Sequence, residues 1–397
     1  MKTKAICIVI ALLLAMSCKK NEPTDNSGYT AQLQMTLDTS WVSFVSQAPQ
    51  ASGGLGVYIV CPKGTYFISK DLGHGAGPDA HFRAASLTKT FAATAIMLLD
   101  QEGKLRIDDT ISHLIPGTMQ PYLPDDSCYQ IPFKDQITIR QLLCHQANVF
   151  DQVNSIIPAT ADAWYAGQNY YLAIITQVNR YYQFSLDELG YLISQHQLTY
   201  GPPGNGHHYS NGNYTLLAKI IERVSGKSCQ DYIQDEILAK NQLNETSLPY
   251  LGTDTALPAP YLHGYLYMND FSIDFTNFNM SWAMAEGNMV SNFSDLSRFY
   301  SQLLSGKTSL SMAQVNRMMD CPASNDSYGL GIEYIEGLGY GHTGSHLGYL
   351  TIAVYDPDTE WMAISESTLY PQDFGLNATE GKAIVAMLRK MKQTLGY

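Results

Sequence analysis

The chain has 397 residues, 45% of them hydrophobic, with 24 basic against 36 acidic side chains and a formal charge of −12 at pH 7. That hydrophobic share describes a cored, globular protein, and the acidic balance excludes nucleic acid and anionic membrane surfaces as charge-driven partners. The length exceeds what one simple core organises and fits two interlocked lobes.

In chain order, Lys2 and Lys4 form a positive start and residues 5–16 an apolar run too short to span a bilayer. The run ends at Ala15-Met16-Ser17-Cys18, which resembles a bacterial lipoprotein signal with cleavage before Cys18 and acylation of that cysteine; the alternative is an ordinary secretory peptide. Residues 1–17 are therefore expected to be a signal peptide, and 18–29, polar with Pro and Gly, a flexible tether. The mature protein is expected to be exported and anchored through Cys18 to a bacterial envelope membrane, on its periplasmic or cell-surface side. It keeps 380 residues and, without Lys2 and Lys4, a charge of −14. Besides Cys18, Cys61, Cys128, Cys144, Cys229 and Cys321 remain. Their odd number and the lack of a C-x-x-C pair argue against a disulfide framework and against zinc, with a Cys128–Cys144 bridge left open for an oxidising compartment.

Leu33, Leu37, Trp41, Phe44 and Val45 recur at helical spacing and predict a first helix. Residues 57–61 and 65–69 read as strands around a three-residue loop, Pro62-Lys63-Gly64. The stretch RAASLTKTFAATAIMLL (83–99) is an apolar helix interrupted by Lys89, and Gly103 caps its end. From 108 to about 248 the pattern is mostly helical, clearest at 137–144 and 214–224. Residues 328–334, 350–355 and 361–366 read as strands, and 378–395 as a closing amphipathic helix. Strands at both ends with helices between predict an α+β fold. One sheet draws on residues 30–105 and 255–395, and a helical lobe on 106–254.

Chemistry enters at Ser86 and Lys89. A serine hydroxyl is a poor nucleophile until a base takes its proton. A lysine can be that base only when its pKa falls well below its usual value, and burial in an apolar helix lowers it. Positions i and i+3 share a helix face, so the two side chains can meet. If Ser86 opens the helix, a free backbone N–H and the positive end of the dipole sit where an oxyanion would form. The S-x-x-K spacing alone is cheap, since it recurs at Ser17–Lys20.

Tyr209-Ser210-Asn211 fits Y-x-N, as does Tyr267-Met268-Asn269. Tyr209 is framed by the turn-rich GPPGNGHH and by a long helix with an apolar stripe; Tyr267 has no such frame and reads as a packing aromatic. The third element is His342-Thr343-Gly344, read as an exposed sheet edge with a strand following. There Gly344 would let a substrate backbone approach and Thr343 would bond a carboxylate or amide.

The order S-x-x-K, Y-x-N, H-T-G, spaced 123 and 133 residues apart, resembles the class C β-lactamases and their relatives, the serine D,D-peptidases and esterases. FRAASLTKTF, ITIRQLLCHQAN, YSNGNYTLLAKIIERVSG and GHTGSHLGYLTIAVYDP are similar to family segments in family order, over residues 30–395. The resemblance implies a β-lactamase/transpeptidase-like fold, an antiparallel sheet flanked by helices plus an all-helical lobe. It implies Ser86 as the acylated nucleophile, Lys89 as its proton partner and Tyr209 as the proton shuttle to the leaving group. Asn211 and Gln152 would contact substrate amides, His342, Thr343 and Gly344 would line the substrate, and the N–H groups of Ser86 and Ser345 would form the oxyanion hole. No cofactor or metal is implied.

His342 stands where class C β-lactamases usually have lysine, which tilts the expectation toward the D,D-peptidase and esterase branches. The expected function is hydrolysis of an amide or ester, foremost a D-alanyl-D-alanine-type peptide, with an esterase or a β-lactamase as alternatives. A non-catalytic binding lipoprotein is the rival from another class, and the three intact motifs count against it. An α/β-hydrolase lacks its G-x-S-x-G, and His207-His208 lacks a metal-ligand spacing. The expected partner is a small-molecule or peptide substrate. The chain gives no sign of its oligomeric state, and residues 151–200 match nothing interpretable.

Overall fold

The computed structural model describes residues 27–73, 75–268 and 270–397. The predicted signal peptide, Cys18 and most of the tether lie outside the described residues, as does Asn269. Among the described residues no helix is long and apolar enough to cross a membrane.

The first helix, α1 (Ser27–Val45), buries Leu33, Leu37, Trp41 and Phe44. It begins inside the expected tether, so residues 27–29 are helical rather than a linker. Then come β1 (Leu55–Cys61) and β2 (Gly64–Lys70). Cys61 pairs with Gly64, so the connection is the two-residue Pro62-Lys63 rather than the expected three, with Gly64 taking the positive φ (142°). A short pair, β3 (Phe82–Arg83) with β6 (Val290–Ser291), frames a 3-10 turn at Ala85–Leu87 that runs into α2 (Thr88–Gln101).

The helical lobe holds α3 (Ile139–Leu143), α4 (Tyr170–Gln177), α5 (Leu186–Gln195), α6 (Asn211–Ser225) and α7 (Cys229–Ile233). α3 is shorter than the predicted 137–144 because Thr138 and Gln141 form a capping box that fixes its start. The remaining elements are β4 (Tyr265–Met268), β5 (Phe271–Asp274), α8 (Phe293–Leu304), α9 (Met312–Met318), β7 (Glu333–Ile335), β8 (Gly339–His346), β9 (Tyr349–Asp356), β10 (Trp361–Ser367), β11 (Leu369–Pro371) and α10 (Phe374–Thr394).

The main sheet is antiparallel throughout, in the order β2-β1-β10-β9-β8-β7. α1 and α10 cover one face, where Trp41, Leu350, Trp361 and Met391 share an apolar cluster. The other face carries α8, the 3-10 turn and, beyond them, the helical lobe in one continuous core. A second sheet, β11-β4-β5, has no counterpart in the sequence reading.

Two expectations change here. The predicted strand at 328–334 shrinks to β7, and His342-Thr343-Gly344 lies within β8 rather than ahead of a strand. β7 pairs with β8 only as far as Gly341, so the edge of β8 from Thr343 onward is open. Cys128 and Cys144 are both free thiols, so the bridge left open by the sequence is absent.

Candidate active site

Ser86 sits in the 3-10 turn. Ala85 before it holds φ +46°, a conformation L-residues seldom adopt, and Thr88 Oγ1 donates to its carbonyl at 2.6 Å. Ala84 N–H donates to Met289 O and Leu87 N–H to Ala84 O, which ties the turn to β6 and to itself. The Ser86 N–H lies at the start of this turn, among the donors a helix cannot satisfy internally.

Lys89 follows by one turn of helix and is fully buried. Its Nζ lies 3.0 Å from Ser86 Oγ, 2.7 Å from Asn211 Oδ1 and 2.7 Å from the Glu286 carbonyl oxygen. The last two can only accept. A neutral amine has two N–H bonds for those acceptors and one lone pair left for the Ser86 proton, so the three contacts match a base in waiting. Burial pulls the Lys89 pKa down to about 8, against the opposing pull of Glu286, Asp151 and Glu333.

Asn211, the first residue of α6, is oriented by Asp151: its Nδ2 donates to both carboxylate oxygens at 3.3 and 3.2 Å, which turns Oδ1 toward Lys89. Asp151 in turn accepts from the backbone N–H groups of Val153 and Asn154 and from Asn154 Nδ2. Tyr209 places its ring 5.0 Å from Lys89 Nζ and lines the same cleft as Ser86. Burial holds that phenol well above its ordinary pKa, so Tyr209 keeps its proton and is suited to pass one on. His145 lies beneath it, rings 4.2 Å apart, and its Nδ1 accepts from Ser210 N–H and Asn213 Nδ2. Buried and neutral, His145 pins the Tyr209–Asn211 segment.

Tyr267 instead packs in the α1/α10 cluster with its hydroxyl on Asp270. Tyr209→Phe is therefore expected to slow turnover by about 10²- to 10⁴-fold, the usual worth of a positioned proton donor, while Tyr267→Phe leaves it unchanged. Steady-state rates of the two variants check this.

β8 passes directly over Ser86. A Cβ on Gly344 would lie 2.6 Å from Ala84 O and 3.1 Å from Ser86 N. Alternate residues of a strand direct their N–H groups to one edge, and Thr343 N–H meets Glu333 on the β7 side. Ser345 N–H therefore lies on the open edge near Ser86 N–H, an arrangement fit to hold an oxyanion.

Two predicted substrate contacts are displaced. His342 is buried rather than in the cleft: its Nδ1 lies 2.5 Å from Thr343 O and its Nε2 2.8 Å from Tyr328 Oη, which engages both nitrogens, and burial keeps the ring neutral. Gln152 is buried against Thr215 at 2.8 Å, and Asn154, two residues on, lines the cleft in its place. Thr343 does line the cleft, but its hydroxyl already donates to Glu333 Oε1 at 2.6 Å, so toward a substrate it can only accept.

The cleft has a volume of about 460 Å³, and no Lys or Arg is among the residues lining it. Tyr171, Trp282, Glu286, His346 and Tyr370 also line it, all missed by sequence reasoning because nothing local marks them. Among the described residues no cluster of His, Cys, Asp or Glu could hold a metal ion.

A family model described as Beta-lactamase matches residues 43–392. Penicillin-binding protein 4* of Bacillus subtilis (strain 168) is 29% identical over 187 residues, 47% of this chain and 34% of that protein; the chain spans about a third of this relative's length. A D-stereospecific amidohydrolase from Streptomyces sp. superposes with a TM-score of 0.70 at 24% identity, covering 86% of this chain and 94% of that one. A D-amino acid amidase from Ochrobactrum anthropi SV3, complexed with L-phenylalanine amide, gives 0.71 at 22%, covering 93% and 100%.

Proposed function

The chain belongs to the β-lactamase family, and from that premise we propose that it is a serine hydrolase that cleaves amide bonds of D-configured peptides or amino-acid derivatives with a neutral leaving group. The observation that carries this reading is the leaving-group end of the cleft. There Thr343 donates to Glu333, the buried His342 is neutral, and no cation lines the cleft to receive a carboxylate. A carboxylate arriving beside Glu333 would meet like charge. The D configuration rests on the fold shared with the D-stereospecific amidohydrolase and the D-amino acid amidase.

In the proposed cycle Lys89 takes the Ser86 proton as Oγ attacks the carbonyl, and the N–H groups of Ser86 and Ser345 hold the oxyanion. Tyr209, relayed from Lys89, protonates the departing nitrogen. Water then attacks the acyl-enzyme by the same route reversed.

A second reading, a D-alanyl-D-alanine-type carboxypeptidase, is favoured by one observation. A groove of about 470 Å³ adjoins Thr343 and Ser345 along α10, and Lys382 and Arg389 line it. A leaving group that reached it would bring its carboxylate to Lys382. The test compares kcat/KM for an N-acyl-D-alanyl-D-alanine and for its carboxamide, in the wild type and in Lys382→Ala. The amide is expected to win by about tenfold or more, the scale of one unpaired charge. A faster free acid, slowed by Lys382→Ala, would replace the first reading by the second.

Activity should also depend on pH in one direction. Protonated Lys89 has no lone pair, so kcat/KM should rise about tenfold per pH unit at low pH and level off above an apparent pKa near the value of about 8 set by burial of Lys89. A flat profile from pH 6 to 9 would remove Lys89 as the base.

A further inference from the structure

The open edge of β8 has two chemically different ends. Toward His342 stand Tyr328, bonded to the His342 ring, and Tyr209, rings 6.1 Å from Tyr328. Because Tyr209 protonates the leaving group, that group departs at this end and the acyl part of the substrate extends the other way, toward His346 and Leu347.

That other end is aromatic. Tyr171 stacks on Trp282 at 4.3 Å with planes 15° apart, and Trp282 on His346 at 5.6 Å and 16°. Burial holds His346 neutral, its pKa near 3, so this wall carries no charge. Glu286, the acidic residue lining this part of the cleft, is only 1% exposed and offers little surface to a cation.

Past Tyr171 and Leu347, which line both spaces, the cleft continues into a second groove of about 540 Å³. α4 supplies one wall through Leu172 and Ile175, and the β4–β5 hairpin another through Leu266 and Ile273, with Arg180 and Asp274 as the charged residues of the lining. Leu172 is 40% and Ile273 39% exposed, large apolar side chains left to water in the free protein. α4 belongs to the segment 151–200 and the hairpin to the second sheet, so both uninterpreted parts of the sequence build this one feature.

We infer that the second groove binds an apolar amino-terminal extension of the substrate, so that the preferred substrate is a peptidyl or N-acylated D-residue rather than a free amino-acid amide. The inference rests on the amidase reading above and adds its substrate class. A single-residue amide would leave the groove empty. A chain leaving the acyl residue along the β8 edge past Leu347 enters it and covers Leu172 and Ile273.

The test uses D-alanine p-nitroanilide, its N-acetyl form and its N-hexanoyl form, with the wild type, Leu172→Asp and Ile273→Asp. Both substitutions fall on exposed side chains away from the reacting atoms, and the N-acetyl rate serves as the control for folding. In the wild type the hexanoyl substrate should exceed the acetyl one by about tenfold or more in kcat/KM, as expected for burial of one aliphatic chain. Each variant should lower that ratio to about threefold or less with the N-acetyl rate kept. Equal acetyl and hexanoyl rates, or an undiminished ratio in both variants, would overturn the groove while leaving the amidase reading standing. Failure to cleave any of the anilides would instead overturn the amidase reading and the groove with it.

Discussion

Replacing Ser86 by alanine, or Lys89 by methionine, is expected to reduce acylation by about 10³-fold or more, the loss that follows removal of a nucleophile or of its base. The lysine variant is the more informative. Methionine fills nearly the same volume in the apolar environment of α2, so the fold should persist. Asn211 Oδ1 and the Glu286 carbonyl then lose their donor, a cost of about 1–3 kcal/mol for each unsatisfied group. Removing a buried amine that must otherwise be desolvated offsets part of it. Intact-mass spectra after exposure to benzylpenicillin or an activated ester, with thermal melts of each variant, separate lost chemistry from lost structure. A Lys89→Met protein that acylated at the wild-type rate would leave Tyr209 as the remaining base. Its phenol, however, is held above its ordinary pKa by burial, so such a result would require a different proton path altogether.

The parts of the site that the sequence revealed are those fixed by local geometry. Ser86 and Lys89 are one helical turn apart, and any helix there brings them together. Tyr209 stood out from Tyr267 because a helix start frames it. Asn211 came with it as the first residue of α6. What failed depended on register. His342 and Thr343 are neighbours on β8, yet a strand sends successive side chains to opposite faces, and only pairing with β7 and β9 decides which meets the cleft. Gln152 and Asn154 differ by two positions in a loop whose path is set by Asp151, a hub of backbone and side-chain bonds that no periodicity signals. The aromatic wall was out of reach for a further reason. Tyr171, Trp282 and His346 come from three distant segments, and each alone reads as an ordinary core aromatic. The fold shows the same division. In the main sheet β1, β2, β9 and β10 were legible from the two ends of the chain and β8, rich in Gly and polar residues, was not, while β4, β5 and β11 are three or four residues long and carry no pattern.

Gly344→Ala should be the most damaging substitution that leaves every reacting side chain in place. The added methyl would sit 2.6 Å from Ala84 O, 3.1 Å from Ser86 N and 3.1 Å from Leu87 Cδ1. The first two are backbone atoms of a turn already bound to Met289 and to itself, so they cannot yield cheaply. β8 has lost its β7 partner from Thr343 onward, so with the turn held fast the strand is what moves. Ser345 N–H moves with it, away from Ser86 N–H, and a shift of a few tenths of an ångström to one ångström there costs about 10²-fold in rate. Stability should fall by about 1–3 kcal/mol, as for other overpacked sites. Gly77→Ala is the matched control, because a Cβ there meets nothing within 4 Å and no positive φ is required. If Gly344→Ala lowers kcat for an ester and for an amide by the same large factor and leaves the pH profile centred on Lys89, the loss belongs to oxyanion geometry. If the apparent pKa moves as well, β8 is also holding Lys89 in place, through the contacts among Glu333, Thr343 and the turn that carries Ser86.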